Sequence, residues 1–314
     1  MPHAILGLHH VTATVDDAQD DLNFCLDVLG LRLVKKTVNF DNHHVYHFYY
    51  GNERGIPGTI WTTFPYKDHG VRAGTKGAAQ VVTTAFSVPA ASIDFWRERL
   101  TSHGAEARDV TTPFGEHGVA TVDPSGLWFE LIGNEQDPRE PWTGNGVDAA
   151  EAIRGLHSVR MVVRAKGPTL ELMTNVLGYT VVNEGESRTR LAAGGSAPGH
   201  FIEVVEEPDA ATAINGIGTV HHVAMAIATG DEQMRLREEL LAIGLRVTDV
   251  RDRCYFQSIY FREPGGVLFE VATVQPGFTV DEPLSSLGRD LKLPPWEEPY
   301  RKAIETGLAD VEYR

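Results

Sequence analysis

The chain has 314 residues, 42% of them hydrophobic and 23% charged, and at roughly 100–200 residues per domain this is a globular protein of about two domains or one large one. Its formal net charge of −15 excludes the basic surface that nucleic acid or an anionic membrane requires. Two cysteines are too few for a disulfide framework and fit a reducing, cytoplasmic setting, and no apolar run approaches the ~18 residues of a membrane span.

The opening stretch MPHAILGLHH lacks a basic region followed by a long apolar one, so no signal peptide is expected. From Leu8, LHHVTATV alternates as a strand. DDAQDDLNFCLDVLGLRLVKK follows with helical spacing at Leu22, Cys25, Leu26 and Leu29 and a stop at Gly30, which makes Cys25 a buried core thiol. The runs VYHFYYG and GTIWTTFP complete an order of strand, helix and about three strands. His43, His44 and His47, in NFDNHHVYHFYY, are expected on loop and strand surface.

After the linker VRAGTKGAA the same order returns in VVTTAFSVPAASIDFWRERLTSHGAEAR and HGVATVDPSGLWFELIG. A second polar linker, GNEQDPREPWTGNGVDAAEA, leads to a third copy, LHSVRMVVRAKGPTLELMTNVLGYTVV with GHFIEVVEEP. The fourth is VHHVAMAIATGDEQMRLREELLAIGLRVT with QSIYFREPGGVLFEVAT. From the first-strand position to the helix-stop glycine the spacing is 20 residues (His10 to Gly30), 21 (Thr83 to Gly104), 20 (Ser158 to Gly178) and 22 (His222 to Gly244). Copies two and four also share a turn, DPSGLWFEL and EPGGVLFEV, that places Glu130 and Glu270 at one point of the last strand.

Such a repeat dictates the fold class. We expect an α+β protein of four βαβββ modules (1–78, 79–150, 151–215 and 216–276) forming two barrel-like pairs. A C-terminal tail, 277–314, is expected to pack over the body or at a subunit contact, and its Leu293 and Trp296 leave room for a homo-oligomer. His69, His103, His117 and His200 read as loop residues, and GTKG and AAGGSAPG match no phosphate-loop spacing.

The chemistry resides in the doublets His9-His10 and His221-His222, which open matched strands. A strand alternates faces, so the two members of a doublet are not expected to point inward together. The third copy reads LHSV, which aligns His157 with His9 and His221 and leaves His10, Thr83, Ser158 and His222 at the second position. Thr12 shares the face of His10, and the acid position of the last strand holds Thr62, Glu130, Glu203 and Glu270. If modules one and four pair, His10, His222 and Glu270 converge. Two imidazoles and one carboxylate leave open positions on a divalent ion, as in non-haem Fe(II) sites that bind substrate and O₂ together. Glu270 in VLFEVAT would otherwise be an uncompensated buried charge. Modules two and three, lacking imidazole at the ligand positions, read as a structural pair. A competing arrangement, in which the first doublet members ligate, would unite His157, His221 and Glu270. Around either set, Tyr260, His9 and His221 are candidates for moving protons, and Arg253 for holding an anion or developing charge.

LHHVT, VKKTVNFD, YHFYYGNERGIPGTIWTTFP, DRCYFQSIYFREPGGVLFE and GFTVDE carry a resemblance that spans essentially the whole chain. The chain resembles the vicinal oxygen chelate superfamily, and within it the hydroquinone-type ring-cleaving dioxygenases, the group of the chlorohydroquinone and 2,6-dichlorohydroquinone 1,2-dioxygenases. The resemblance implies a non-haem Fe(II) enzyme of extradiol type, with Mn(II) as the alternative ion. It implies His10, His222 and Glu270 as ligands and Thr12, His9, His221, Arg253 and Tyr260 around them, with an aromatic para-diol and O₂ as partners. The competing classes are a glyoxalase-like lyase or isomerase, or a thiol transferase, on the same scaffold, and a metal-free sequestering protein. The former often use a fourth protein ligand, against which Thr62 speaks; the last needs no His-His-Glu set.

Overall fold

A computed structural model describes residues 5–313; residues 1–4, part of the opening stretch read for a leader, and Arg314 at the end of the tail lie outside the described residues. Strand, helix and three strands recur four times. The first copy is β1 (Leu8–Val15), α1 (Ala18–Asn23, continued by a wider turn over Phe24–Val28), β2 (Arg32–Asn39), β3 (Asn42–Gly51) and β4 (Ile60–Pro65). The second is β5 (Gln80–Val88), α2 (Ile93–Ser102), β6 (Arg108–Thr111), β7 (His117–Val122) and β8 (Trp128–Gly133). The third is β9 (Gly155–Val163), α3 (Lys166–Asn175), β10 (Thr180–Glu184), β11 (Arg188–Ala192) and β12 (Phe201–Glu206). The fourth is β13 (Thr219–Ile227), α4 (Gly230–Ala242), β14 (Arg251–Asp252), β15 (Gln257–Arg262) and β16 (Leu268–Thr273).

The helix-stop glycines Gly30, Gly104, Gly178 and Gly244 have φ of 66°, 74°, 77° and 90°, the left-handed conformation that ends a helix and that a side chain disfavours. The shared turn also has a physical cause. Asp123 accepts from the Leu127 amide, and Glu263 accepts from the Gly265 and Val267 amides, so a buried acid closes each turn before β8 and β16.

The strands form two eight-stranded sheets, ordered β14-β15-β16-β13-β1-β4-β3-β2 and β10-β11-β12-β9-β5-β8-β7-β6. At the centre of the first, β1 runs antiparallel to β13; at the centre of the second, β5 runs antiparallel to β9. Within each module the first strand lies parallel to the last, and the registers coincide. Thr12 pairs with Thr62, Ala85 with Glu130, Arg160 with Glu203 and Ala224 with Glu270. Each first-strand member lies two residues after His10, Thr83, Ser158 or His222, so the four copies are equivalent residue for residue.

One apolar core extends from Leu22, Phe24 and the fully buried Cys25 through Trp61, Phe86 and Phe129 to Leu156 and Val159. Both cysteines are free thiols. The tail crosses the first module and ends in α5 (Arg301–Gly307). Leu293, Ile304 and Leu308 pack on Val38, so Leu293 is buried within its own chain rather than offered to a partner, while Trp296 lies edge-on to Phe40. Among the described residues no helix is long and apolar enough to cross a membrane.

Candidate metal centre

Because β1 and β13 are antiparallel neighbours with Thr12 opposite His222 and His10 opposite Ala224, the two histidines meet diagonally across the strand pair. Glu270 on β16 flanks β13 on its other side. His10 Nε2 lies 3.2 Å and His222 Nε2 2.8 Å from Glu270 Oε2, and the two Nε2 atoms are 3.3 Å apart. Three donors on one face of an octahedral ion, each bonded at about 2.1 Å, would stand about 3 Å from one another. Among the described residues this is the only cluster of three such side chains with metal-ligand spacing. The competing set is not brought together: His157 lies on β9 in the other sheet, with Nε2 3.3 Å from Glu116.

The protonation pattern also suits a cation. His9 is buried, contrary to the outward position expected from alternation; the β1 register is irregular between Leu8 and His10, and the His9 ring packs against Phe256. Burial, reinforced by neighbouring His10, pushes its imidazole down to about 3, so it is neutral with one proton. Its Nδ1 lies 2.9 Å from His10 Nδ1, and one of the two nitrogens donates to the other. His10 Nε2 faces Glu270 at 3.2 Å. Glu270 is fully buried, its Oε1 accepts from Ser258, and its Oε2 has no hydrogen-bond partner. Burial alone would raise its carboxyl, but His10 and His222 hold it well below the usual range. A buried carboxylate oxygen and two imidazole nitrogens drawn within 3.3 Å of one another in the core fit a divalent cation, which satisfies all three donors at once. His222 is oriented in the same manner, Nδ1 to Nδ1 at 2.8 Å, by His221.

The ligand atoms face a cavity of about 250 Å³, sized for one small aromatic ring. Tyr260, opposite Glu270 in the β15–β16 register, accepts from Arg253 Nε at 3.0 Å, and burial pushes its phenol well up. Arg253 also pairs with Asp41, at 3.0 Å, at the tip of the β2–β3 hairpin. The tail braces this wall: Tyr255 hydrogen-bonds to Asp281 and, through its carbonyl, to Gly277. The fully buried Lys35 on β2 pairs with Asp281 at 2.5 Å and with Glu282. This explains VKKTVNFD and GFTVDE physically, since one supplies the buried cation and the other its carboxylates.

His47 corrects the sequence reading. It was expected on the surface, but β3 pairs with β4 so that Tyr49 faces Thr62, and His47 then lies on the cavity wall between Tyr49 and Phe64. Its Nε2 contacts Thr62 Oγ1 at 2.9 Å, and Thr62 in turn contacts Thr12 at 2.8 Å. The alternation of His47 and Tyr49 against Thr62 and Phe64 is the signal that would have found it. His43 and His44 are partly or largely exposed.

In the other sheet the equivalent cup is filled by ion pairs. Arg160, at the register position of Thr12 and Ala224, makes two 3.0 Å bonds to Glu130. Glu203 binds Arg190 at 2.6 Å and Arg188, and Arg190 also binds Glu116 at 2.6 Å. Guanidinium groups supply there the positive charge that buried carboxylates demand.

Residues 7–131 and 155–271 match the family model described as the Glyoxalase/Bleomycin resistance protein/Dioxygenase superfamily. The chain is 43% identical over 305 residues to a Bacillus subtilis protein named "Putative ring-cleaving dioxygenase MhqE", covering 97% of this chain and 99% of that one. It is 35% identical over 301 residues to a chlorohydroquinone/hydroquinone 1,2-dioxygenase of Sphingobium indicum, covering 94% and 93% of the two chains. A solved Bacillus subtilis structure, 38% identical, superposes with a TM-score of 0.94 over 99% of each chain.

Proposed function

The chain belongs to the Glyoxalase/Bleomycin resistance protein/Dioxygenase superfamily, and on that premise we propose that it is an Fe(II)-dependent dioxygenase that opens hydroquinone-type para-diol rings beside one hydroxyl. The observation that carries this reading is the convergence of His10 Nε2, His222 Nε2 and Glu270 Oε2 at 2.8–3.3 Å on the wall of a ring-sized cavity, with a threonine, Thr62, where a fourth ligand would stand. The names of the relatives support the para-diol class. Mn(II) suits the same donors. Modules one (1–78) and four (216–276) are then the metal-bearing pair, and modules two (79–150) and three (151–215) the structural one.

When bound, the ion would bring a deprotonated diol and O₂ together and let electron density pass between them. The chain's residues do the rest. His9 and His221, each Nδ1 to Nδ1 with one of the ligating imidazoles, orient those rings. Tyr260 accepts from Arg253, so its own proton points away from the guanidinium and is available to an oxygen of the ring. Arg253 stabilises negative charge developing on that ring. Thr12, Thr62 and His47 form a hydrogen-bonded floor that keeps ring and ion in register. Phe256, packed on His9 and His10, keeps bulk water from the ligands.

The test is oxygen uptake by protein loaded anaerobically with Fe(II) and offered hydroquinone, chlorinated and methylated hydroquinones, and catechols. One O₂ consumed per ring-opened para-diol is expected. No uptake across the panel with Fe(II) bound would sink the reading and favour the lyase or thiol-transferase alternative.

A further inference from the structure

Three charged side chains line the cavity besides its imidazoles: Glu270, Arg253 and Asp41. Glu270 is committed to the metal face. Arg253 has two engagements, Nε to the Tyr260 oxygen and Nη2 to Asp41 Oδ2, each at 3.0 Å. Asp41 comes from the opposite module, at the hairpin tip over the cavity mouth, and its side chain is 65% exposed. Its carboxylate is not needed to shape the hairpin, because the turn is closed by the Asp41 amide donating to Asn39 Oδ1.

The charges decide what can enter. A divalent ion, Glu270, Arg253 and Asp41 together leave one net positive charge. One deprotonated ring hydroxyl matches it. A ring that also carries a carboxylate brings a second negative charge into a low-dielectric cavity whose guanidinium is already neutralised. Without Asp41 the same cavity would match that dianion.

Resting on the dioxygenase reading above, we propose that Asp41 is a specificity-determining residue: by capping Arg253 it excludes carboxylated rings and restricts the enzyme to para-diols that enter uncharged. The discrimination works by placing a repulsive group against the wrong ligand rather than by adding a contact to the right one.

The experiment compares hydroquinone with 2,5-dihydroxybenzoate on metal-loaded protein, by anaerobic calorimetric binding and by kcat/KM. The wild type should favour hydroquinone by at least about tenfold in both, the scale of an uncompensated charge. Asp41→Asn should shift that ratio at least about tenfold toward the carboxylated ring, and Asp41→Glu, which keeps the charge, should leave it near the wild-type value. The proposal is overturned if the wild type binds both rings alike, if Asp41→Asn leaves the ratio unchanged, or if Asp41→Glu shifts it as far as Asp41→Asn does. Failure of the dioxygenase reading is distinguishable, since it would abolish ring cleavage of every diol while the binding ratio still reports on Asp41.

Discussion

Thr62 occupies on β4 the register position that Glu270 occupies on β16: each lies opposite the residue two places after the first-strand histidine, Thr12 in one module and Ala224 in the other. Thr62 is fully buried and bonded to Thr12 and His47. A carboxylate at this point would offer the proposed ion a fourth protein donor and close a position that substrate or O₂ needs. Thr62→Glu is therefore expected to keep or raise metal content while oxygen uptake falls at least about a hundredfold. Metal analysis beside an oxygen electrode checks it, and full uptake by a metal-replete variant would disprove an open position at Thr62.

Glu270 would supply the only negative charge among the three proposed ligands. Glu270→Gln keeps the shape and the Ser258 contact but removes that charge, so its metal occupancy under dialysis should fall well below the wild-type value. Thermal melts give an independent readout. An ion that binds only the folded chain at about 100 times its Kd adds about 2.7 kcal/mol. Chelation should lower the melting point of the wild type and leave that of Glu270→Gln unmoved; equal shifts in the two proteins would place the metal elsewhere.

His10, His222 and Glu270 were legible because a fourfold repeat supplies an internal alignment, and parallel first and last strands turn matched sequence positions into neighbours. The same logic located Glu130 and Glu203 but not the two arginines that bind Glu203 from the neighbouring strand. Arg188 and Arg190 come from β11, whose register against β12 depends on a hairpin that the repeat does not fix. His47 and Asp41 were missed for a related reason. They belong to the β2–β3 hairpin, whose inward face is set by pairing with β4 rather than by any motif. His9 was misplaced because alternation assumes a regular strand, and β1 departs from regularity at that residue.

Tyr260 is the proton donor we propose for the cavity. Burial pushes its phenol well above the ordinary value, so it stays protonated throughout the working pH range, and Arg253 occupies an acceptor lone pair of its oxygen. Tyr260→Phe retains the ring and its contact with His222. We expect kcat to fall about 10²-fold with metal content unchanged. Unaltered steady-state turnover would remove Tyr260 from the proton path.

Arg190 is almost fully buried between Glu203 and Glu116. Arg190→Met would fill much of its volume while stranding Glu203, itself 2% exposed, with less compensation. Breaking a buried pair in this way costs about 3–5 kcal/mol, which denaturant unfolding would register. A loss under about 1 kcal/mol would show that Arg188 and Arg160 suffice for that carboxylate.

Asp21 gives a pH signature. It is buried on α1, accepts from the hydroxyls of Tyr50 (2.7 Å) and Thr63 (2.5 Å), and burial pushes its carboxyl from 3.8 up to about 6. Between those values the folded chain binds the proton more tightly than the unfolded one. The group's stabilising contribution is therefore complete below about pH 3.8 and is lost as pH rises through about 6. Asn cannot titrate, yet its carbonyl can still accept from both hydroxyls. The stability of Asp21→Asn relative to wild type should thus rise between pH 4 and pH 7, by up to about 3 kcal/mol. Asp123, pushed up to about 7 by burial and in part by the neighbouring Asp21 charge, titrates in the same window, so the difference reports Asp21 together with its coupling to Asp123. Urea melts of metal-free protein at the two pH values measure it, and a difference that does not change with pH would show that the Asp21 carboxyl titrates normally in the fold.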